Sequence, residues 1–163
     1  MSKIIYGSYD SKKVIDVLAF APHPDDIEIF CGGTIAKMVK DGYNVAIVDL
    51  TAGELGTRGS TELREQEAYN ASKILGIYYR ENLGLPDGGI TSSIEQTRVV
   101  VDVVRRIKPQ VVLMPPKHDR HPDHGAAHLL IERALFMAAL PKAADLSTLP
   151  AHRISRSMLY EMR

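Results

Sequence analysis

The chain has no tryptophan, three phenylalanines and one cysteine among its 163 residues, and its 20 Lys and Arg are balanced by 20 Asp and Glu. The lone Cys31 excludes an internal disulfide. Balanced charge leaves no field to gather nucleic acid or an anionic membrane, so neither partner is expected. No opening segment resembles a signal peptide and no apolar run is long enough to span a bilayer, which makes the cytoplasm the expected compartment. Cys31 reads as a small apolar side chain on a helix, because a nucleophile would want a histidine beside it at loop geometry. The length suits a single domain, 1–163, whose core needs neither disulfides nor a structural metal. No long repeat, low-complexity tract or interdomain linker interrupts it.

What the sequence has is apolar runs alternating with amphipathic stretches. Residues 1–13 mix polar and apolar types without period and read as a leader or edge segment. Residues 14–21 are apolar apart from Asp16, the composition of a strand buried on both faces. Over 27–40, Ile27, Phe30, Cys31, Ile35, Met38 and Val39 recur at helical spacing, and Asp41-Gly42 closes the segment. In this helix Gly32 and Gly33 are expected to allow close approach to the sheet or a substrate. They do not make a dinucleotide fingerprint, since the spacing of three glycines is missing. Residues 45–50 predict a second strand and 51–59 a Gly-rich loop; 61–75 predict a helix with Ser60 or Thr61 as N-cap and Gly76 as stop. Residues 77–83 make a weaker strand before the turn chemistry of Leu85-Pro86-Asp87-Gly88-Gly89. Residues 92–107 are rich in β-branched types, yet Val100, Val103, Val104 and Ile107 keep helical spacing and predict a helix. Residues 110–114 read as a strand, 115–122 as a loop, 123–140 as a helix, and 157–162 as a short strand in the tail. The fold class is α/β: a Rossmann-like, doubly wound, mainly parallel sheet with helices on both faces.

One tripeptide occurs twice at strand-to-helix junctions: His23-Pro24-Asp25 precedes Asp26, and His121-Pro122-Asp123 precedes His124. Each copy alone is ordinarily a helix cap, since Asp caps a helix N-terminus and Pro fits its first turn. In a doubly wound sheet, however, the chain reverses after its third parallel strand and lays the next strand on the other side of the first. The crevice at that reversal lies beyond the ends of the two strands that precede these loops. His23, Asp26 and His124 then supply two imidazoles and a carboxylate, the three-ligand set that leaves a catalytic zinc one open position; iron or another divalent transition ion is second choice. Asp25, beside a ligand yet directed elsewhere, is the expected general base. His121, with Asp123 available to orient it, is expected to stabilise an oxyanion or protonate a leaving amine. His118 reads as solvated, His128 as a third-ranked ligand away from the mouth, and His152 as a surface residue.

Residues 21–26, Ala-Pro-His-Pro-Asp-Asp, paired with 119–124, Asp-Arg-His-Pro-Asp-His, resemble the LmbE/PIG-L family of metal-dependent N-deacetylases. The resemblance continues through Thr51-Ala52-Gly53-Glu54-Leu55-Gly56-Thr57-Arg58-Gly59, Glu62-Leu63-Arg64 and residues 82–89, covering about 14–142. Within the family the chain looks most like the bacillithiol-pathway branch, which deacetylates N-acetylglucosaminyl malate. The resemblance implies one zinc on His23, Asp26 and His124, Asp25 as base, and His121 with Asp123 as a charge-stabilising pair. It also implies attack of water on an acetamide to release acetate. Two departures stand out: Pro22, where relatives often carry another small residue, and length. Family members continue past the point where this chain stops, with further strands and a helical segment that wall the site and build oligomers, often hexamers. Residues 143–163 are therefore expected to begin a C-terminal part that is cut short.

Arg64 falls in the first turn of a helix, where the dipole disfavours a cation, and this suggests a use at the rim of the crevice. The matching family residue contacts substrate, and a guanidinium suits a hydroxyl or the malate carboxylate. The alternative for Arg64 is a surface pair with Glu62, Glu65 or Glu67. Glu54 and Asp87 follow the second and third parallel strands and are expected to reach sugar hydroxyls, Asp87 being equally a turn former. Arg120 and Arg58 are weaker anion contacts. The expected activity is zinc-dependent hydrolysis of the N-acetyl group from an N-acetylglucosamine conjugate, with another N-acetyl sugar such as a chitooligosaccharide as the alternative substrate. Rival activities are a metal phosphoesterase, which commonly uses two metals, and a shortened form that binds metal without turnover.

Overall fold

The apolar runs become the interior strands of one six-stranded sheet in the computed structural model, which describes residues 2–161. In chain order the elements are β1 (Lys3–Tyr6), β2 (Val17–Ala21), α1 (Asp26–Lys40), β3 (Val45–Thr51), α2 (Thr61–Leu75), β4 (Tyr79–Leu85), α3 (Ile94–Ile107), β5 (Val111–Met114), α4 (Pro122–Ala138) and β6 (Arg156–Leu159). The strand order is β1-β4-β3-β2-β5-β6. All pairings are parallel except that of β1, which runs antiparallel along β4 with Lys3 opposite Asn82. The reversal falls where it was expected, between β2 and β5.

Side-chain alternation along the strands divides the core into two layers. Leu18, Phe20, Val48 and Leu50 point to one face, where they pack with Val100, Val104, Leu130 and Ile131 of α3 and α4. Val17, Ala19, Ala21 and Ile47 point to the other, against Ile27, Cys31 and Ile35 of α1 and Leu75 of α2. Each fully buried aliphatic side chain contributes about 1.5–3 kcal/mol, so the five buried apolar residues of α3 (Val100, Val101, Val103, Val104 and Ile107) are ample to seat that helix. The helix boundaries follow local chemistry. Ser60 and Ser93 accept the Leu63 and Gln96 amides at the N-caps of α2 and α3, and Gly76 turns left-handed to end α2.

Some local expectations change. Gly32 and Gly33 do not let α1 approach anything: a methyl group on Gly32 would meet only the Ile27 carbonyl at 3.7 Å, and Gly33 faces open space. They follow a kink at Cys31, where φ is −141° and ψ is 17° inside the helix. β4 reads weakly in sequence because Arg80, Glu81 and Asn82 are buried in it, each with a partner on a neighbouring element. His152 is half-buried rather than on the surface, with its Nε2 2.7 Å from the Pro109 carbonyl. The tail strand ends at Leu159, and Met162 of its expected range lies outside the described residues. Among the described residues no helix is long and apolar enough to cross a membrane.

Candidate active site

The loops after β2 and β5 meet over the sheet reversal and line a cleft of about 520 Å³ with His23, Asp25, Asp26, His121 and His124, joined by Arg64 of α2 and Asp87 after β4. A larger depression of about 820 Å³ lies over Glu81, Arg98 and Arg106, but it holds neither histidine nor cysteine. Chemistry rather than size therefore selects the cleft. The two His-Pro-Asp copies serve their helices differently. Asp25 occupies the N-cap position of α1 without capping it, whereas His121 Nδ1 accepts the Asp123 N–H at the start of α4 and Pro122 sits in the first turn.

Asp26 joins the two halves. Its Oδ2 accepts the His23 backbone N–H at 2.9 Å and lies 3.2 Å from His23 Nδ1, while its Oδ1 lies 3.5 Å from His124 Nε2. His23, His121 and His124 also offer ring nitrogens within 4.8 Å of one another, with the His121 and His124 rings stacked at 4.8 Å. On its far side, His23 Nε2 faces Asp87 Oδ1 at 3.1 Å and Asp123 Oδ2 at 3.2 Å. Burial opposes a charge on His23, but Asp26, Asp123 and Asp87 outweigh it and push the pKa up to about 9. For His124 burial prevails over Asp26 and Asp119, so its pKa falls and the neutral ring is favoured. The ring nitrogens of His23, His121 and His124 lie close enough to one another to hold one ion, as do His23, Asp87 and Asp123, and Asp26 touches both His23 and His124; imidazoles and carboxylates converging in this way form a donor set that fits a divalent transition metal.

Asp25 projects into the same cleft, half-exposed, with Arg64 Nη1 3.6 Å from its Oδ2. Burial is the main cause that raises the Asp25 pKa; Asp26 adds to it, and Arg64 and His23 oppose it. Arg64 is thus at the rim as expected. It packs where Gly53 and Gly56 leave room: a Cβ on Gly56 would fall 2.4 Å from Arg64 Nη2. The expected surface partner Glu65 pairs with Lys3 instead.

Other expected residues take different places. Asp123 does not orient His121 through its carboxylate, which accepts the Gly88 N–H at 2.8 Å and faces His23; the Asp123 backbone amide meets His121. Asp87 is turned inward, its side chain 8% exposed, because Leu55 N–H and His23 hold both oxygens. Glu54, expected at a sugar, accepts the Asp87 N–H at 2.8 Å and braces that loop. Arg120 and Arg58 are exposed and are not among the cleft-lining residues. His128 is buried with Nδ1 2.9 Å from the Pro115 carbonyl, and His118 is exposed. Sequence reasoning missed Asp119, whose Oδ1 lies 2.9 Å from His124 Nδ1 and accepts the His121 N–H at 2.7 Å. Burial acts to raise its pKa, but the His121 amide and the adjacent His124 and His121 rings hold the carboxyl low. Its spacing was a usable signal, because an Asp two residues before a loop residue commonly accepts that residue's amide.

Residues 18–135 match the sequence profile of the PIG-L family, described as GlcNAc-PI de-N-acetylase. A diacetylchitobiose deacetylase of Thermococcus kodakarensis is 36% identical over 142 residues, 81% of this chain and 52% of that protein. A probable N-acetyl-alpha-D-glucosaminyl L-malate deacetylase 2 of Bacillus subtilis is 33% identical over 135 residues, 74% of this chain and 60% of its own length. The crystal structure of the conserved protein TT1542 from Thermus thermophilus superposes with a TM-score of 0.86 at 44% identity, covering 90% of this chain and 66% of that one. The chain thus spans about half to two thirds of the length of these proteins.

Proposed function

Because the chain belongs to the PIG-L family, we propose that it is part of a metal-dependent hydrolase that removes the acetyl group from an N-acetylglucosamine conjugate. The observation that carries this reading is the meeting of His23, Asp26 and His124 in one cleft with the half-exposed carboxylate of Asp25, which faces Arg64. His23, Asp26 and His124 would hold the metal, zinc by preference, and such an ion supplies Lewis acidity that polarises a carbonyl and lowers the pKa of water. Asp25 accepts a proton from the attacking water, for which its raised pKa suits it. The water oxygen then adds to the acetamide carbon, His121 stabilises the oxyanion from the cleft wall, and the C–N bond breaks as the proton held by Asp25 passes to the leaving nitrogen. Acetate and a free amine leave.

Arg64 supports an anionic or hydroxyl-rich substituent at the rim, which fits N-acetylglucosaminyl malate; a neutral chitooligosaccharide is the alternative. One metal per chain separates this reading from a two-metal phosphoesterase. The test incubates the chain with N-acetylglucosaminyl malate and diacetylchitobiose and reads acetate with and without chelator. Acetate that a chelator suppresses, with zinc still bound but turnover lost in Asp25→Asn, is the expected result. No acetate from either sugar removes the deacetylase reading for this chain, and an Asp25→Asn variant near wild-type turnover removes the base.

A further inference from the structure

Asp119 lies at the end of the loop after β5, outside the ligand set and outside the roles so far given to the cleft. Its side chain is 11% exposed, and one oxygen serves two neighbours, His124 Nδ1 at 2.9 Å and the His121 N–H at 2.7 Å. An ionised carboxylate only accepts, so the bond to His124 places the ring proton on Nδ1. With the proton on Nδ1, Nε2 is the ring atom left free to act as a ligand, and it is turned toward Asp26 Oδ1, 3.5 Å away. Two acceptors facing each other across that distance repel unless a cation lies between them.

We propose that Asp119 is a positioning residue for metal binding: it fixes the His124 tautomer and ring plane so that Nε2 is the ligand atom facing Asp26. The same device operates across the cleft, where Asp87 and Asp123 take His23 Nε2 and leave Nδ1 to Asp26. Both imidazoles are thus gripped from behind by carboxylates and turn their other nitrogen toward Asp26, His23 Nδ1 to one of its oxygens and His124 Nε2 to the other. Carboxylate partners of this kind set the orientation and basicity of a ligating histidine, and losing one costs about 10–100-fold in metal affinity. This inference rests on the metal reading of the site.

The competing role is a turn former that merely holds the His121 amide. The experiment measures Zn2+ affinity by competition with a chromogenic chelator for the wild-type chain, Asp119→Asn and Asp119→Ala, alongside apo-protein melting and long-range 1H–15N NMR of the histidine rings. Asn keeps the turn and a neutral acceptor; Ala keeps neither. Expected are a His124 Nδ1–H tautomer in the wild type, an affinity loss of about 10–100-fold in Ala, and a smaller loss in Asn. Wild-type affinity in a folded Ala variant overturns the proposal. If Ala does not fold, the wild-type spectrum decides: an Nε2–H tautomer at His124 overturns it, and Nδ1–H with weakened binding in Asn sustains it. A wild-type chain without affinity for Zn2+ overturns the metal reading as well, so the two failures are distinct.

Discussion

At Asp25 the backbone turns through φ 141° and ψ −23°, a region that glycine enters freely and a side chain enters at a cost of about 1–3 kcal/mol. The strain falls on the residue assigned as base and lifts its carboxylate off the helix N-terminus, where an ordinary N-cap would have spent it. Replacing Asp25 by Gly and by Ala separates backbone from side chain, since both lose the carboxylate and only Gly relieves the turn. The Gly variant should be more stable than the Ala variant by about 1–2 kcal/mol, after allowing ~0.5–1 kcal/mol for glycine's flexibility. Both should lack turnover. Equal melting temperatures would remove the strain. The sequence shows at this scale which residues share a site, because the doubled His-Pro-Asp sits at two strand ends. It does not show which atom meets which: Asp123 turns to His23 rather than His121, and Asp119 went unassigned, because loop geometry decides both.

Among the elements, α3 carries a feature that no periodicity reveals. Arg105 is 1% exposed and has no carboxylate among its bonded partners; its guanidinium donates to the carbonyls of Ala138, Leu140, Ser147 and Leu149. Ala138 ends α4, so the cation closes the carbonyl end of that helix and ties the following loop to α3. Hydrogen bonds from a charged group contribute about 1.5–3 kcal/mol each, and carbonyls stripped of partners cost about as much. Arg105→Met keeps the volume and removes the donors. It should lower stability by about 3–5 kcal/mol, or roughly 6–20 °C in Tm for a chain of this size, read by thermal melting. A fall under about 2 °C would mean that water replaces the guanidinium. Strands and helices were legible because 2- and 3.6-residue periods are local, and the helix of 61–75 keeps its expected bounds. Arg80, Glu81 and Arg105 break the apolar pattern, and their partners lie on other elements, so sequence periodicity cannot register them.

For the molecule as a whole, the two loops of the site are about a hundred residues apart, as the His23 to Asp123 contact shows, and they sit on opposite sides of the sheet reversal. An ion held by the proposed ligands His23, Asp26 and His124 would therefore join the half of the sheet built by β2, β3 and β4 to the half begun by β5. Unfolding must separate those ligands, and a ligand that binds only the folded chain stabilises it by mass action. At Zn2+ a hundredfold above Kd the gain is about 2.7 kcal/mol, or roughly 5–11 °C in Tm. The rise should vanish with chelator. It should also vanish in His23→Ala and in His124→Ala separately, because each removes one of the three ligands and leaves only two. A rise that survives in either variant would place the ion elsewhere, and no rise in the wild type would remove the metal from the cleft.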